Sequence, residues 1–297
     1  MSVHEHTHHE KPSLLRAERR SSGNLDYALV YEEESEHLAA AGAMVIVLVP
    51  GVPGSERDFR HLSPLIVKWA PVVRIVFPGF GLLEEDVNSP STPHDRARYL
   101  EQIADKEGWR SIMVVGHSMG GVAALAWASY DQRVHVLSLL CSVGVKRHRG
   151  MVFGSRGAKI TLTLSELPLV GDLLLSSLKG FMKRTGFKGH SFHREQLKLI
   201  LSHVRDLDFD RQREIIRKLA DRDDLYVGMC WTLDDRVVDP VASEALYDAI
   251  HHSVAAHRFS CFRLEEGGHN PQRSLTIEID RWLKSLYTKF LLGPESR

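Results

Sequence analysis

Short apolar runs rich in β-branched residues alternate with longer stretches of helical spacing along most of this chain. Ala43 to Val49, Val72 to Phe77, Ser111 to Val115, Val134 to Cys141, Leu225 to Cys230 and Phe259 to Leu264 read as core strands, several of them apolar without alternation. Strands covered by helices on both faces carry that signature. Tyr27 to Tyr31 reads as an antiparallel edge strand. Between these runs, Asp58 to Trp69, His94 to Glu107, Met119 to Tyr130, Val241 to His252 and Leu275 to Phe290 place apolar residues at helical intervals. The expected fold class is α/β, a mainly parallel central sheet flanked by helices.

The alternation breaks once, between about Lys146 and Asp221, where a long helical stretch separates two core strands. It reads as an inserted cap of three or four helices. The chain then divides into a disordered polar tail (1–23), a main α/β domain (24–145 and 222–297) and a helical cap (146–221). The tail carries His4, His6, His8 and His9, but a polar terminal segment is expected to be solvated, and no function attaches to it.

With 297 residues and 43% apolar composition, the chain can bury one large core or two small ones. Lys plus Arg equals Asp plus Glu at 38 each, so no global charge calls for nucleic acid or an anionic membrane as obligatory partner. The charge is nevertheless uneven, because Lys146 to Lys218 holds 16 Lys or Arg against 7 Asp or Glu. Cys141, Cys230 and Cys261 lie far apart in apolar runs, which fits reduced, buried thiols and a cytoplasmic location. The N-terminal segment lacks the apolar core of a signal peptide, and no run of transmembrane length follows it. A soluble protein is expected.

The most specific motif is Gly116-His117-Ser118-Met119-Gly120-Gly121, a G-x-S-x-G sequence set between an apolar run and a helical one. A serine in a strained strand-to-helix turn projects its hydroxyl from the top of a sheet, and the flanking glycines remove Cβ clashes there. The following helix N-terminus favours developing negative charge, so the Met119 N–H is one expected oxyanion donor. Serine needs a base, and His269 follows the last strand in the turn-forming segment Glu265 to Pro271. The acid should lie between serine and histidine in the chain, where Asp234 and Asp235 compete after the strand Leu225 to Cys230.

These motifs resemble the cap-bearing α/β-hydrolase superfamily, where a D-x-x-V loop follows this strand. Aligning on Asp235-Arg236-Val237-Val238 makes Asp235 the acid by resemblance, with Asp234 the lesser candidate. Pro50-Gly51-Val52-Pro53-Gly54-Ser55 resembles the family's oxyanion loop, which makes the Val52 N–H the second donor. The family usually has histidine before that glycine, and Pro50 stands there instead, so the loop's hydrogen bonds must differ. Phe77-Pro78-Gly79-Phe80-Gly81 is similar to the loop that shapes the family's site entrance. The resemblance implies a Ser118-Asp235-His269 triad cleaving an ester or thioester through an acyl-enzyme. No metal or organic cofactor is expected, because outside the N-terminal tail the sequence has no paired ligand motif of the H-E-x-x-H or C-x-x-C kind and no G-x-G-x-x-G turn. Acyl transfer, carbon–carbon hydrolysis and a catalytically silent binding protein are the alternatives. A serine at position 118 argues against haloalkane and epoxide opening, which use aspartate in this family.

The expected partner is a small acyl compound, partly apolar and anionic or lipid-like. Leu167 to Met182 forms an amphipathic stretch followed by Lys183 and Arg184. Such a helix could dock on anionic lipid. The plainer account lays its apolar side over the catalytic mouth and leaves the lysines solvated.

Overall fold

The structure is a computed structural model and describes residues 15–22, 25–32, 35, 42–86, 88–151, 154–167, 169–184 and 193–293. Eight strands form one sheet: β1 (Leu15–Ser22), β2 (Leu25–Glu32), β3 (Val45–Val49), β4 (Val72–Val76), β5 (Ile112–His117), β6 (Val134–Leu140), β7 (Tyr226–Thr232) and β8 (Phe259–Leu264). Their order is β1-β2-β4-β3-β5-β6-β7-β8. The β1/β2 and β2/β4 pairs are antiparallel, and all the others are parallel.

The larger helices are α1 (Pro93–Glu107), α2 (Met119–Ala128), α3 (Gly154–Ser165), α4 (Val170–Arg184), α5 (Arg194–Arg205), α6 (Phe209–Lys218), α7 (Pro240–His251) and α8 (Thr276–Leu292). The two faces of β3 show why its sequence does not alternate. Val45, Val47 and Val49 join a core with Leu100 and Ile103 of α1 and Trp127 of α2, while Ile46 and Leu48 join another with Phe59, Ile66 and Leu283 of α8. Burial on both faces removes any need for polar residues between the valines.

Several expectations need correction. Leu15–Ser22 is no part of a disordered tail, because it pairs antiparallel with β2 along its length. Consequently β1 forms the sheet edge and β2 lies inside it, rather than Tyr27 to Tyr31 being the edge. The strand is held by its backbone ladder and by charge, with Arg20 bridging Glu18 and Glu107, so apolar periodicity did not reveal it. The histidines at 4, 6, 8 and 9 lie outside the described residues. The single helix expected over Asp58 to Trp69 is instead a 3-10 turn, Glu56–Phe59, and a one-turn helix, Ser63–Ile66. Pro64 has no N–H to continue a helix and so starts a new turn. Cys141 and Cys230 are buried, but Cys261 on β8 is exposed.

The four helices between β6 and β7 do not form one unit. Helices α3, α4 and α5 contact one another, whereas α6 packs against α2 and α7 beside the sheet. Ile215 and Ile216 of α6 belong to the same core as Trp127. By packing, the inserted group is α3 to α5, and α6 belongs to the layer flanking the sheet.

Candidate active site

Ser118 sits at the C-terminal end of β5, on a turn so tight that it adopts φ 53° and ψ −125°, outside the comfortable range of a side-chain-bearing residue. Its neighbours make that possible. A Cβ on Gly120 would come within 2.4 Å of the Pro50 carbonyl oxygen, a backbone collision nothing could relieve. The turn therefore presses α2 onto the 50–55 loop. A Cβ on Gly51 would stand 2.9 Å from the Ser118 Cβ, so this loop passes directly beside the hydroxyl.

The structure brings Ser118, His269 and Asp235 together. The Ser118 hydroxyl lies 2.9 Å from His269 Nε2, and His269 Nδ1 lies 2.8 Å from Asp235 Oδ2. Asp235 is almost fully buried, and its other oxygen, Oδ1, accepts the Val237 and Val238 N–H groups at 2.7 and 3.0 Å. Asp234 is excluded from this chain of bonds. It is exposed and accepts the Gly268 N–H at 2.8 Å, which braces the loop carrying His269. Thr232 Oγ1 donates to the Gly268 carbonyl at 2.8 Å and braces the same loop from β7.

Met119 follows Ser118 at the start of α2, and Val52 lines the same cavity as the serine. Among the described residues, no carbonyl accepts from either backbone N–H. Both side chains join an apolar cluster with Met151, Leu207 and Val238 beside the serine. The cavity at Ser118 measures about 330 Å³ and is lined by Gly51, Val52, Asp58, Arg236, His269 and Arg273 among others. That is the lower end of the range for small-molecule sites. Among the described residues, no group of three His, Cys, Asp or Glu is arranged to hold a metal ion.

Two residues escaped the sequence reading. Arg96 on α1 is buried, lies 3.8 Å from the Phe77 ring centre and donates to the Pro50 carbonyl at 3.4 Å. It thus supplies a hydrogen bond to the 50–55 loop at Pro50. Burial pushes its guanidinium down to about 9. The second is His117, whose buried Nε2 donates to the His269 backbone carbonyl at 2.7 Å. No periodicity marks either one, although His117 stands inside the G-x-S-x-G motif itself.

Burial first, then proximity to His269 and Arg273, pushes His117 down to about 3 and so keeps it neutral. His117→Phe keeps the ring and deletes the donor, leaving the His269 carbonyl unpaired at a cost of about 1–3 kcal/mol. We expect kcat to fall about tenfold with KM little changed, because one lost hydrogen bond misplaces the base while an aromatic ring still fills the place of His117 in the cavity lining. Unchanged kcat in this variant would dismiss the positioning role.

His203 on α5 is also buried, and burial followed by the Arg96 charge pushes it down to about 3 as well. The unfolded chain, with histidines near pH 6.5, binds more protons than the native state between these values. Stability is therefore full above about pH 6.5 and is lost as pH falls towards 3, at up to about 1.4 kcal/mol per pH unit for each histidine. Urea midpoints measured from pH 7 to pH 4.5 should fall steadily, and the slope should shrink in His117→Phe. A flat profile would contradict the buried, neutral histidines.

Residues 10–263 match the model of the family described as alpha/beta hydrolase of unknown function (DUF1057). The chain belongs to this family. It is 28% identical over 233 residues to the "Uncharacterized hydrolase YugF" of Bacillus subtilis (strain 168), spanning 74% of this chain and 83% of that protein. It is 31% identical over 105 residues to a 2-hydroxy-6-oxononadienedioate/2-hydroxy-6-oxononatrienedioate hydrolase of Cupriavidus pinatubonensis, spanning 34% of this chain and 36% of that protein. The fold is similar to that of a putative lipase from Acinetobacter baumannii AYE, with TM-score 0.65 at 15% identity over 94% of this chain and 92% of the other. It is equally similar to the haloalkane dehalogenase DatA from Agrobacterium tumefaciens C58, with TM-score 0.67 at 15% identity over 93% and 97%. This hydrolase therefore shares its α/β fold with proteins whose names denote different chemistries, and its own chemistry has to be argued from the site.

Proposed function

We propose that the chain is a serine hydrolase that cleaves a carboxylic ester or thioester through an acyl-enzyme. The observation that carries this reading is the continuous chain of hydrogen bonds from Ser118 Oγ through His269 to buried Asp235. His269 takes the serine proton as Oγ attacks the substrate carbonyl, and the buried carboxylate stabilises the imidazolium that forms. The Met119 and Val52 N–H groups face the developing oxyanion. His269 then returns its proton to the leaving group, and water repeats the sequence to release the acid.

Val52 and Val237, which pack on the apolar cluster of Met119 and Met151, line the cavity and form the wall on which a short acyl chain would lie. The cavity rim balances its charges, with Arg236 and Arg273 against Asp58 and Asp234, and Arg273 paired to Asp58. A preference for an anionic substrate therefore rests on the field of the basic 146–218 segment rather than on the rim. The partial likeness to a hydrolase named for a dioate, a doubly anionic compound, points the same way. Helices α3 to α5 act in this reading as the cap over the entrance, since Gln196 Nε2 of α5 donates to the Gly79 carbonyl at 3.2 Å in the 77–81 loop. The exposed free thiol of Cys261 suits the reducing interior of a cell.

A fluorophosphonate probe tests the reading, because only an activated serine reacts with it quickly. Rapid stoichiometric labelling at Ser118 is expected, together with release of the alcohol from a short aryl ester. Absence of labelling in the folded protein would favour a silent binding role for the fold.

A further inference from the structure

Large apolar side chains exposed on the described surface are not scattered. Eleven are exposed, and six of these, Ile160, Leu164, Leu167, Leu169, Val170 and Leu173, fall within fourteen consecutive positions. They occupy the end of α3, the turn after it and the start of α4. The corner is tight, since a Cβ on Gly171 would stand 2.2 Å from the Ser165 carbonyl oxygen, and α3 contacts α4, so the six positions are gathered on neighbouring segments. Contiguous exposed apolar patches mark interaction sites, unlike isolated exposed leucines.

The amphipathic α4 thus does not lay its apolar residues only on the protein. Leu175 is buried and Leu174 and Leu178 half-buried, yet Leu173 is 70% exposed and Leu169, just ahead of the helix, is 83% exposed. Leu169 also holds a left-handed backbone, φ 62°, which is unfavourable for leucine and favours glycine or asparagine. Neither solvation nor backbone geometry accounts for leucine there.

Charge along these two helices is positive. From Gly154 to Arg184 the sequence has five Lys or Arg and two acids. Both acids are already neutralised from α5, Glu166 by Lys198 at 2.9 Å and Asp172 by Arg194. Arg156 and Lys159 are exposed and form no ion pair among the described residues.

We propose that this corner of α3 and α4 is a docking surface for an anionic lipid bilayer, with the six apolar side chains entering the headgroup boundary and Arg156 and Lys159 meeting lipid phosphates. Apolar insertion beside basic side chains is the chemistry of interfacial binding. A second copy of the chain fits less well, because a stable protein interface takes about 20–30 residues a side and this patch offers six apolar ones. No described helix is long and apolar enough to cross a membrane, so the contact would be peripheral. The insertion leaves the sheet after β6, the strand whose Leu140 carbonyl accepts the Ser118 N–H at 3.0 Å. The binding surface itself does not depend on the acyl-enzyme reading.

Flotation of the full chain with vesicles of phosphatidylcholine alone, or of phosphatidylcholine mixed with phosphatidylglycerol, tests the proposal. Binding is expected only to the anionic vesicles, weakening between about 0.1 M and 1 M salt as the screening length shrinks from about 10 to about 3 Å. Leu169→Gln with Leu173→Gln should weaken binding by at least about tenfold. Arg156→Gln with Lys159→Gln should reduce it to the level seen on phosphatidylcholine alone. An unchanged thermal midpoint and an unchanged far-UV circular dichroism spectrum establish that the variants are folded. Failure of the wild type to float, equal binding to both vesicle types, or undiminished binding by the leucine variant would overturn the proposal. So would a wild-type dimer that the leucine variant dissociates, since the partner would then be a second copy.

Discussion

Ser118→Ala is expected to lower turnover of a short-chain aryl ester by about 10⁵–10⁶-fold, to the residual rate that binding and oxyanion donors alone sustain. The fold should survive, with stability changed by no more than about 0.5 kcal/mol. Three observations support that separation. The turn backbone is set by its packing against the 50–55 loop through Gly120, which does not involve the hydroxyl. The hydroxyl's partner is His269 Nε2. His269 itself stays held through Nδ1 on Asp235 and through its carbonyl on His117. Alanine should therefore leave the base in place with nothing to activate. Fluorophosphonate labelling should vanish in the same variant. Persistence of wild-type turnover in a folded Ser118→Ala protein would remove the serine from the mechanism.

Legibility in the sequence followed how each part of the fold is stabilised. The strands β3 to β7 are buried on both faces, so they appear as apolar runs. The G-x-S-x-G turn was visible because close backbone packing admits only glycine at position 120. By contrast, β1 is fixed by backbone pairing and by Arg20 between Glu18 and Glu107, partners far apart in the sequence, and its polar residues looked like a tail. The boundary of the insertion was misplaced for a related reason. Helix α6 is as amphipathic as its neighbours, and only its packing against α2 and α7 assigns it to the sheet layer. Arg96 and His117 were hidden because their roles lie in tertiary contacts with Pro50 and His269, and no local pattern encodes those.

Asp235→Asn should lower kcat by about 10⁴-fold while Asp234→Asn changes it less than about tenfold, and the hydrogen-bond pattern says why two adjacent aspartates differ so much. Both oxygens of Asp235 are committed. Oδ1 accepts two backbone N–H groups, from Val237 and Val238, and Oδ2 accepts from His269 Nδ1. An asparagine at 235 has one acceptor oxygen, and the two backbone donors claim it, because the amide nitrogen placed there would face two N–H groups in a buried site. The nitrogen is thereby turned towards His269. It can donate only to an unprotonated Nδ1, which puts the imidazole proton on Nε2, facing Ser118. In that tautomer the histidine cannot accept the serine proton. Asp234 makes a different bond, accepting the exposed Gly268 N–H, and an asparagine oxygen can do the same. Steady-state kinetics of both variants on one ester decide the assignment. A larger loss in Asp234→Asn would transfer the acid's role to the exposed carboxylate, and equal losses would mean that the loop's shape, rather than one buried charge, sets the tautomer of His269.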